Sequence, residues 1–285
     1  MRSLLLPWAI LLATLALLSS GSQPLTVLDG CADGLVPAVA GTIHGHRIWF
    51  DLDTGALQTY LDASTARELA LPSVGSTTVS GAGKGAVNAT RLQTVAVRLG
   101  DVIFQARDPI AIDLGHVGSS LQLGGILGFD FFRQHVVAID FHSYRVALYD
   151  PVAYRYAGKG VAIPLVIRPP RAYVNVIVAA EGVPPERHSL RLDLGSNDAV
   201  DDDIVLRSSA PKQPISGGVG VGQRFPSYLG RVSELQLGPF KLYDLPAATG
   251  GVQLIGDAVW HRFNVVFDFS RSVMYLEPIG YSSLK

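Results

Sequence analysis

The sequence predicts an all-β chain of two similar β-barrel-like lobes, related by a pseudo-two-fold axis and carrying a few short helices. Three observations predict it. The 285 residues include 30 glycines and 17 prolines, which separate short apolar runs, the pattern of strands joined by turns. An apolar strand ending in Asp-x-Gly occurs twice, as Arg47-Ile-Trp-Phe-Asp-Leu-Asp53-Thr-Gly55 and as Ser189-Leu-Arg-Leu-Asp193-Leu-Gly195. Each copy leads to a second apolar block closed by glycine, Ile126-Leu127-Gly128 and Leu254-Ile255-Gly256.

The first element stands outside that repeat. Met1-Arg2-Ser3 precedes an almost wholly apolar run from Leu4 to Leu18, followed by Ser19-Ser20-Gly21-Ser22. A basic start, a short apolar core and small residues make a secretory signal over 1–22. The run is short for a membrane span and contains Pro7. The expectation is a secreted or periplasmic protein without membrane contact once the signal is cleaved. An uncleaved anchor is the alternative. Cys31 is the only cysteine, so no internal disulfide is expected, and it reads as a packed thiol rather than a lipid acceptor. A net charge of −1 with 16% charged residues gives no basic excess for nucleic acid and no acidic tail.

The first lobe is expected over 25–152. Segments 36–43 and 47–53 read as a hairpin turning at His44-Gly45-His46. A glycine-rich strip follows at 79–85. Segment 128–141 reads as a short helix and then a hairpin turning at the Asp140-Phe141 pair. Residues 153–159 read as a linker. The second lobe, 160–285, repeats the order: a hairpin of 173–179 and 187–193 turning around 181–184, a glycine strip at 215–222, and a closing segment at 256–269.

Two equivalent strands ending in Asp bring Asp53 and Asp193 towards one axis. Like charges about 3 Å apart cannot both stay ionised, so the pair shares a proton. The ionised member can take a proton from water while the protonated one polarises a carbonyl, which is hydrolysis without a covalent intermediate. Gly55 and Gly195 let the backbone curl so that its N–H groups face the carboxylates. This chemistry requires no cofactor and no metal, and none is expected.

On these residues the chain resembles a pepsin/retropepsin-type aspartic peptidase, in a single-chain, two-lobed bacterial-type form. Asp-Thr-Gly-Ala at 53–56 matches that family's active-site motif. The blocks at 126–128 and 254–256 match the strand that passes beside its catalytic loop, and 254–268 is similar to the C-terminal pepsin pattern. The resemblance covers nearly all of the chain after the signal. It implies the acid protease fold, Asp53 and Asp193 as catalytic pair, and an active-site loop of Thr54, Gly55, Ala56, Leu194, Gly195 and Ser196. It also implies a flap over Ser80, Gly81, Ala82, Gly83, Lys84 and Gly85 that closes on an extended peptide or protein substrate, and a monomer. The strip at 216–222 is a weaker candidate for a second flap.

The chain departs from the family at Leu194, where Thr or Ser is expected. Thr54 can still bond the Leu194 N–H, while the reciprocal bond is lost. The 80–90 strip has no counterpart of the pepsin flap tyrosine. These departures keep an alternative open: a catalytically inactive acid-protease-like fold that acts as a peptide-binding or scaffold protein. Ser196 is expected to hydrogen-bond Asp193. By strand alternation Asp51 is expected near the surface, and Asp198 with Asp201-Asp202-Asp203 as a solvated acidic turn, since the spacing does not fit a calcium loop. His44 and His46 read as turn residues. No Gly-x-Ser-x-Gly elbow is present, and the glycine strips are not followed by the helix that dinucleotide binding needs.

Overall fold

The computed structural model describes residues 21–115, 121–218 and 220–280. The expected signal falls almost wholly on 1–20, outside the described residues. The fold is all-β with four short α-helices among those residues, and is acid-protease-like. None of these helices is long and apolar enough to cross a membrane.

The two halves share a base. Six strands lie side by side in the order Thr26–Asp33, Arg145–Tyr149, Val136–Asp140, Phe263–Asp268, Val273–Pro278 and Val161–Arg168, all antiparallel. The first three come from the first half of the chain and the last three from the second. At the central seam Val137, Ala138 and Ile139 face Phe267, Val266 and Val265. When Gly128 is aligned with Gly256, Ala138 sits opposite its own repeat equivalent, Val266. A surface that pairs with its own copy in this way is two-fold symmetric by construction.

Above the base each half repeats one arrangement. Thr26–Asp33 bends out of the base sheet to pair with Val36–Ile43, which pairs with His46–Leu52, which runs parallel to Leu123–Leu127. In the second half Val161–Arg168 pairs with Arg171–Ala180, then Val183–Leu192, which runs parallel to Leu254–Ile255. The first hairpin turns at His44 and Gly45, both at positive φ, a two-residue turn whose twist suits a hairpin. The second turns at Glu181 and Gly182, so Val183 and Pro184 belong to the strand rather than to the expected wider turn. The closing segments form short helices, Phe129–Gln134 and Asp257–Trp260, each followed by its hairpin into the base.

One apolar core runs through both halves. Phe129, Phe131, Phe132, Phe267 and Phe269 interlock at the junction through edge and tilted ring contacts. The connecting stretch is also packed: Tyr154 is buried against Tyr149, and Tyr156 stacks on Tyr275.

Candidate active site

Each carboxylate is placed by backbone first. Asp53 follows His46–Leu52, and its N–H donates to Leu127 O at 3.0 Å; Asp193 follows Val183–Leu192, and its N–H donates to Ile255 O at 3.1 Å. The glycines after those carbonyls are fixed by crowding. A Cβ on Gly128 would collide with Gln58 O, and one on Gly256 with Asp198 O. The following N–H groups, of Phe129 and Asp257, donate back to Ala56 O and Ser196 O at 3.0 and 2.8 Å. The apolar-apolar-glycine blocks therefore clamp both ends of each Asp-x-Gly loop.

The two loops interlock. A Cβ on Gly55 would overlap the Asp193 carboxylate, and a Cβ on Gly195 would overlap that of Asp53. Only glycine allows each carboxylate to lie against the opposite loop. Asp53 Oδ1 accepts from the N–H groups of Gly55 and Ala56 at 2.7 and 3.1 Å, and Asp193 Oδ1 accepts from Gly195 N–H at 3.2 Å. The Thr54 hydroxyl, buried, accepts from Leu194 N–H at 3.1 Å. Leu194 has no hydroxyl to return the bond and is instead fully buried in the apolar core. The Ser196 hydroxyl accepts from Asp198 N–H at 3.2 Å, turned to its own loop rather than to the expected partner Asp193.

The glycine strips of both halves meet. Ser80, Gly81, Ala82, Gly83, Lys84 and Gly85 form the tip between Ser73–Val79 and Val87–Leu92. Gly83 N–H donates to Val221 O at 2.9 Å, and Lys84 and Gln223 exchange two backbone bonds of 2.8 Å. A Cβ on Gly83 would lie 2.6 Å from the Gly222 carbonyl carbon, so the two backbones touch where side chains are absent. Lys84 Nζ reaches over the Phe225 ring. The second strip, the weaker candidate in the sequence, is thus an equal partner of the first.

The site is strongly acidic. Burial pushes Asp53 up to about 7, with the nearby Asp193 charge adding to it; Arg191 and the two backbone donors pull it down. Asp51 is buried, not near the surface, and is pushed up to about 8 by burial and by Asp33 and Asp53. Alternation misplaces Asp51 because the end of its strand lies between Val36–Ile43 and Leu123–Leu127 with both faces covered, so Phe50, Asp51 and Leu52 are all buried. Asp202 likewise is fully buried rather than solvated. Its carboxylate meets His188 Nδ1 at 2.5 Å and caps Ile204 N–H at 2.8 Å. Its neighbour Asp203 accepts from the Thr249 hydroxyl at 2.7 Å.

Sequence reasoning passed over three side chains. Arg191, quoted only as strand, donates through Nη2 to Asp193 Oδ2 in a nearly buried ion pair. Asp257 is fully buried with no hydrogen bond to either carboxylate oxygen, and burial with the charges of Asp193, Asp53 and Asp51 raises it well above the ordinary range. His261 Nε2 lies 2.7 Å from Leu35 O while Asn197 Oδ1 accepts from Leu35 N–H at 2.6 Å, so the second half grips a turn of the first. The signal was in the repeat alignment: Arg191 stands opposite Asp51 and Asp257 opposite Phe129, and charge that breaks a repeat inside a core has a reason to be there.

Two interlocked Asp-x-Gly loops thus set each carboxylate against the opposite loop's glycine, and the glycine tips of the two halves meet each other. Residues 39–131 match an aspartyl protease family model. The match takes in the Asp53 motif, the first glycine strip and Ile126-Leu127-Gly128. It supports a peptidase-type hydrolase, and the second half of the site lies outside it. No curated protein matches the chain.

Proposed function

We propose that the chain is an aspartic endopeptidase that hydrolyses extended peptides with a water held between Asp53 and Asp193. The observation that carries this reading is the reciprocal fit of Gly55 against Asp193 and Gly195 against Asp53. In the cycle, one carboxylate takes a proton from water as the oxygen bonds the scissile carbonyl carbon. The protonated carboxyl donates to the carbonyl oxygen. The tetrahedral adduct then breaks its C–N bond as a proton passes to the leaving amine. The paired glycine tips present backbone N–H and C=O groups with which a strand-like substrate can pair once they part. The expected setting is secreted or periplasmic.

The test is hydrolysis of a mixed peptide library across pH 3 to 7 by wild type, Asp53→Asn and Asp193→Asn. Cleavage by wild type, reduced at least about 100-fold in each variant, is the expected result. Binding of peptides without cleavage would replace this reading with a peptide-binding scaffold, the reading that Leu194 favours. Full activity in Asp193→Asn would dissolve the pair.

A further inference from the structure

Residues two apart on a strand share a face, so each strand entering the site places one more ionisable side chain beside its carboxylate. In the first half that residue is Asp51 and in the second it is Arg191. Arg191 Nη2 binds Asp193 Oδ2 with the two side chains 11% and 8% exposed, while Asp193 Oδ1 takes the Gly195 N–H. Both oxygens of Asp193 thus face donors. Asp53 is held differently: its two backbone donors converge on Oδ1, and its Oδ2 lies against Gly195.

We propose that Arg191 is a positioning residue that divides the roles within the pair, holding Asp193 as the charged, water-activating carboxylate and leaving the shared proton on Asp53. The catalytic consequence rests on the peptidase reading; the division of charge does not. The remaining groups around the pair cannot do this. Asp51 on the entering strand, Asp257 on the short helix and Asp198 on the loop after the second motif are acids pushed up by burial and bring no positive charge. Tyr60 faces Asp53 from the strand Tyr60–Asp62, with Arg171 acting on Tyr60 from the neighbouring hairpin turn. Arg191 brings positive charge to the carboxylates themselves, and a nearly buried guanidinium stays charged at any working pH.

The sign follows. A cation favours the ionised form of a neighbouring acid, so removing Arg191 moves Asp53, which it pulls down, to higher pH. Wild type, Arg191→Met and Arg191→Lys are compared by carbon-13 NMR titration of labelled Asp carboxyls, with Asp53 assigned through Asp53→Asn, and by the pH profile of kcat/KM. Burial and the Asp193 charge push Asp53 up to about 7 in the wild type. In Arg191→Met its midpoint rises by roughly one unit or more and both limbs of kcat/KM follow it, whereas Arg191→Lys restores most of the wild-type position. Arg191→Gln, a polar residue without charge, takes the place of Arg191→Met should that variant not fold. An Asp53 midpoint that stays put without the guanidinium overturns the proposal, whether or not the protein cleaves peptides. A midpoint that moves in a protein that cleaves nothing keeps the division of charge and sinks the peptidase reading.

Discussion

The two Asp-x-Gly loops have the same backbone and opposite surroundings. Each Asp N–H is held by the carbonyl before a crowded glycine, and each loop is clamped from behind by the first N–H of a short helix. Around that shared frame the side chains diverge. The first loop has a buried acid at Asp51, a hydroxyl at Thr54 and an aromatic at Phe129. The second has a cation at Arg191, an apolar side chain at Leu194 and a buried acid at Asp257. Two identical carboxylates in identical surroundings would share a proton without preference. Duplication supplies the geometry twice, and the divergence of the side chains gives the two acids different surroundings. The symmetric part of this site is the part made by the backbone.

The contrast between Asp51 and Arg191 should give the largest effect. The folded state raises Asp51 to about 8, far above an unfolded Asp near 4. The stability linked to this group is therefore fully present below about pH 4 and is lost as pH rises through about 8. Asp51→Asn removes that slope. The variant is expected to match the wild type near pH 4.5 and to exceed it at pH 8.5 by on the order of a few kcal/mol, as read from urea unfolding at both pH values. A wild type that gains stability from pH 4.5 to 8.5 would mean that Asp51 is not held as a buried acid.

Leu194 sharpens the comparison next. Restoring a hydroxyl by Leu194→Thr looks like a repair when the loops are aligned, yet Leu194 is fully buried in the common core. The change leaves a cavity and buries a hydroxyl, so it should cost about 2–4 kcal/mol in urea unfolding. A variant as stable as wild type would show that the second loop can take the partner's chemistry without penalty, and that the divergence is incidental.

Much of this fold was legible from the chain alone, because the repeat is written in glycines. Gly55, Gly195, Gly128 and Gly256 sit where any side chain would collide with a carboxylate or a carbonyl, so their spacing reports backbone geometry directly. The matching helix-and-hairpin segments 128–141 and 256–269 were readable for the same reason, whereas their pairing with each other across the two-fold was not. What was not legible is what lies beneath the symmetry. Period-two reasoning places every second residue outward and fails at Asp51, and reading an acidic run as a solvated turn fails at Asp202, since both are buried. Nor does a sequence show that Arg191 turns to Asp193, or that the strip around Gly222 meets the one around Gly83. The first is a matter of which way one side chain turns, and the second joins residues far apart in the chain.

Thr54 gives the smallest expected effect and isolates the one side-chain bond that crosses between the loops from the first side only. Its hydroxyl accepts the buried Leu194 N–H at 3.1 Å, and Thr54→Val keeps the shape while removing the acceptor. A buried N–H left without a partner costs about 1–3 kcal/mol, and relaxation of the loop should hold the loss near the low end. Because the bond spans the pair, on the proposed peptidase reading the variant should also lower kcat more than it raises KM, since the carboxylates lose registry while the contact between the glycine tips stays intact. Unchanged stability would show that another group satisfies Leu194 N–H. Unchanged stability and unchanged kcat together would mean that the backbone frame alone holds the loops in register, and that a hydroxyl on either side is dispensable.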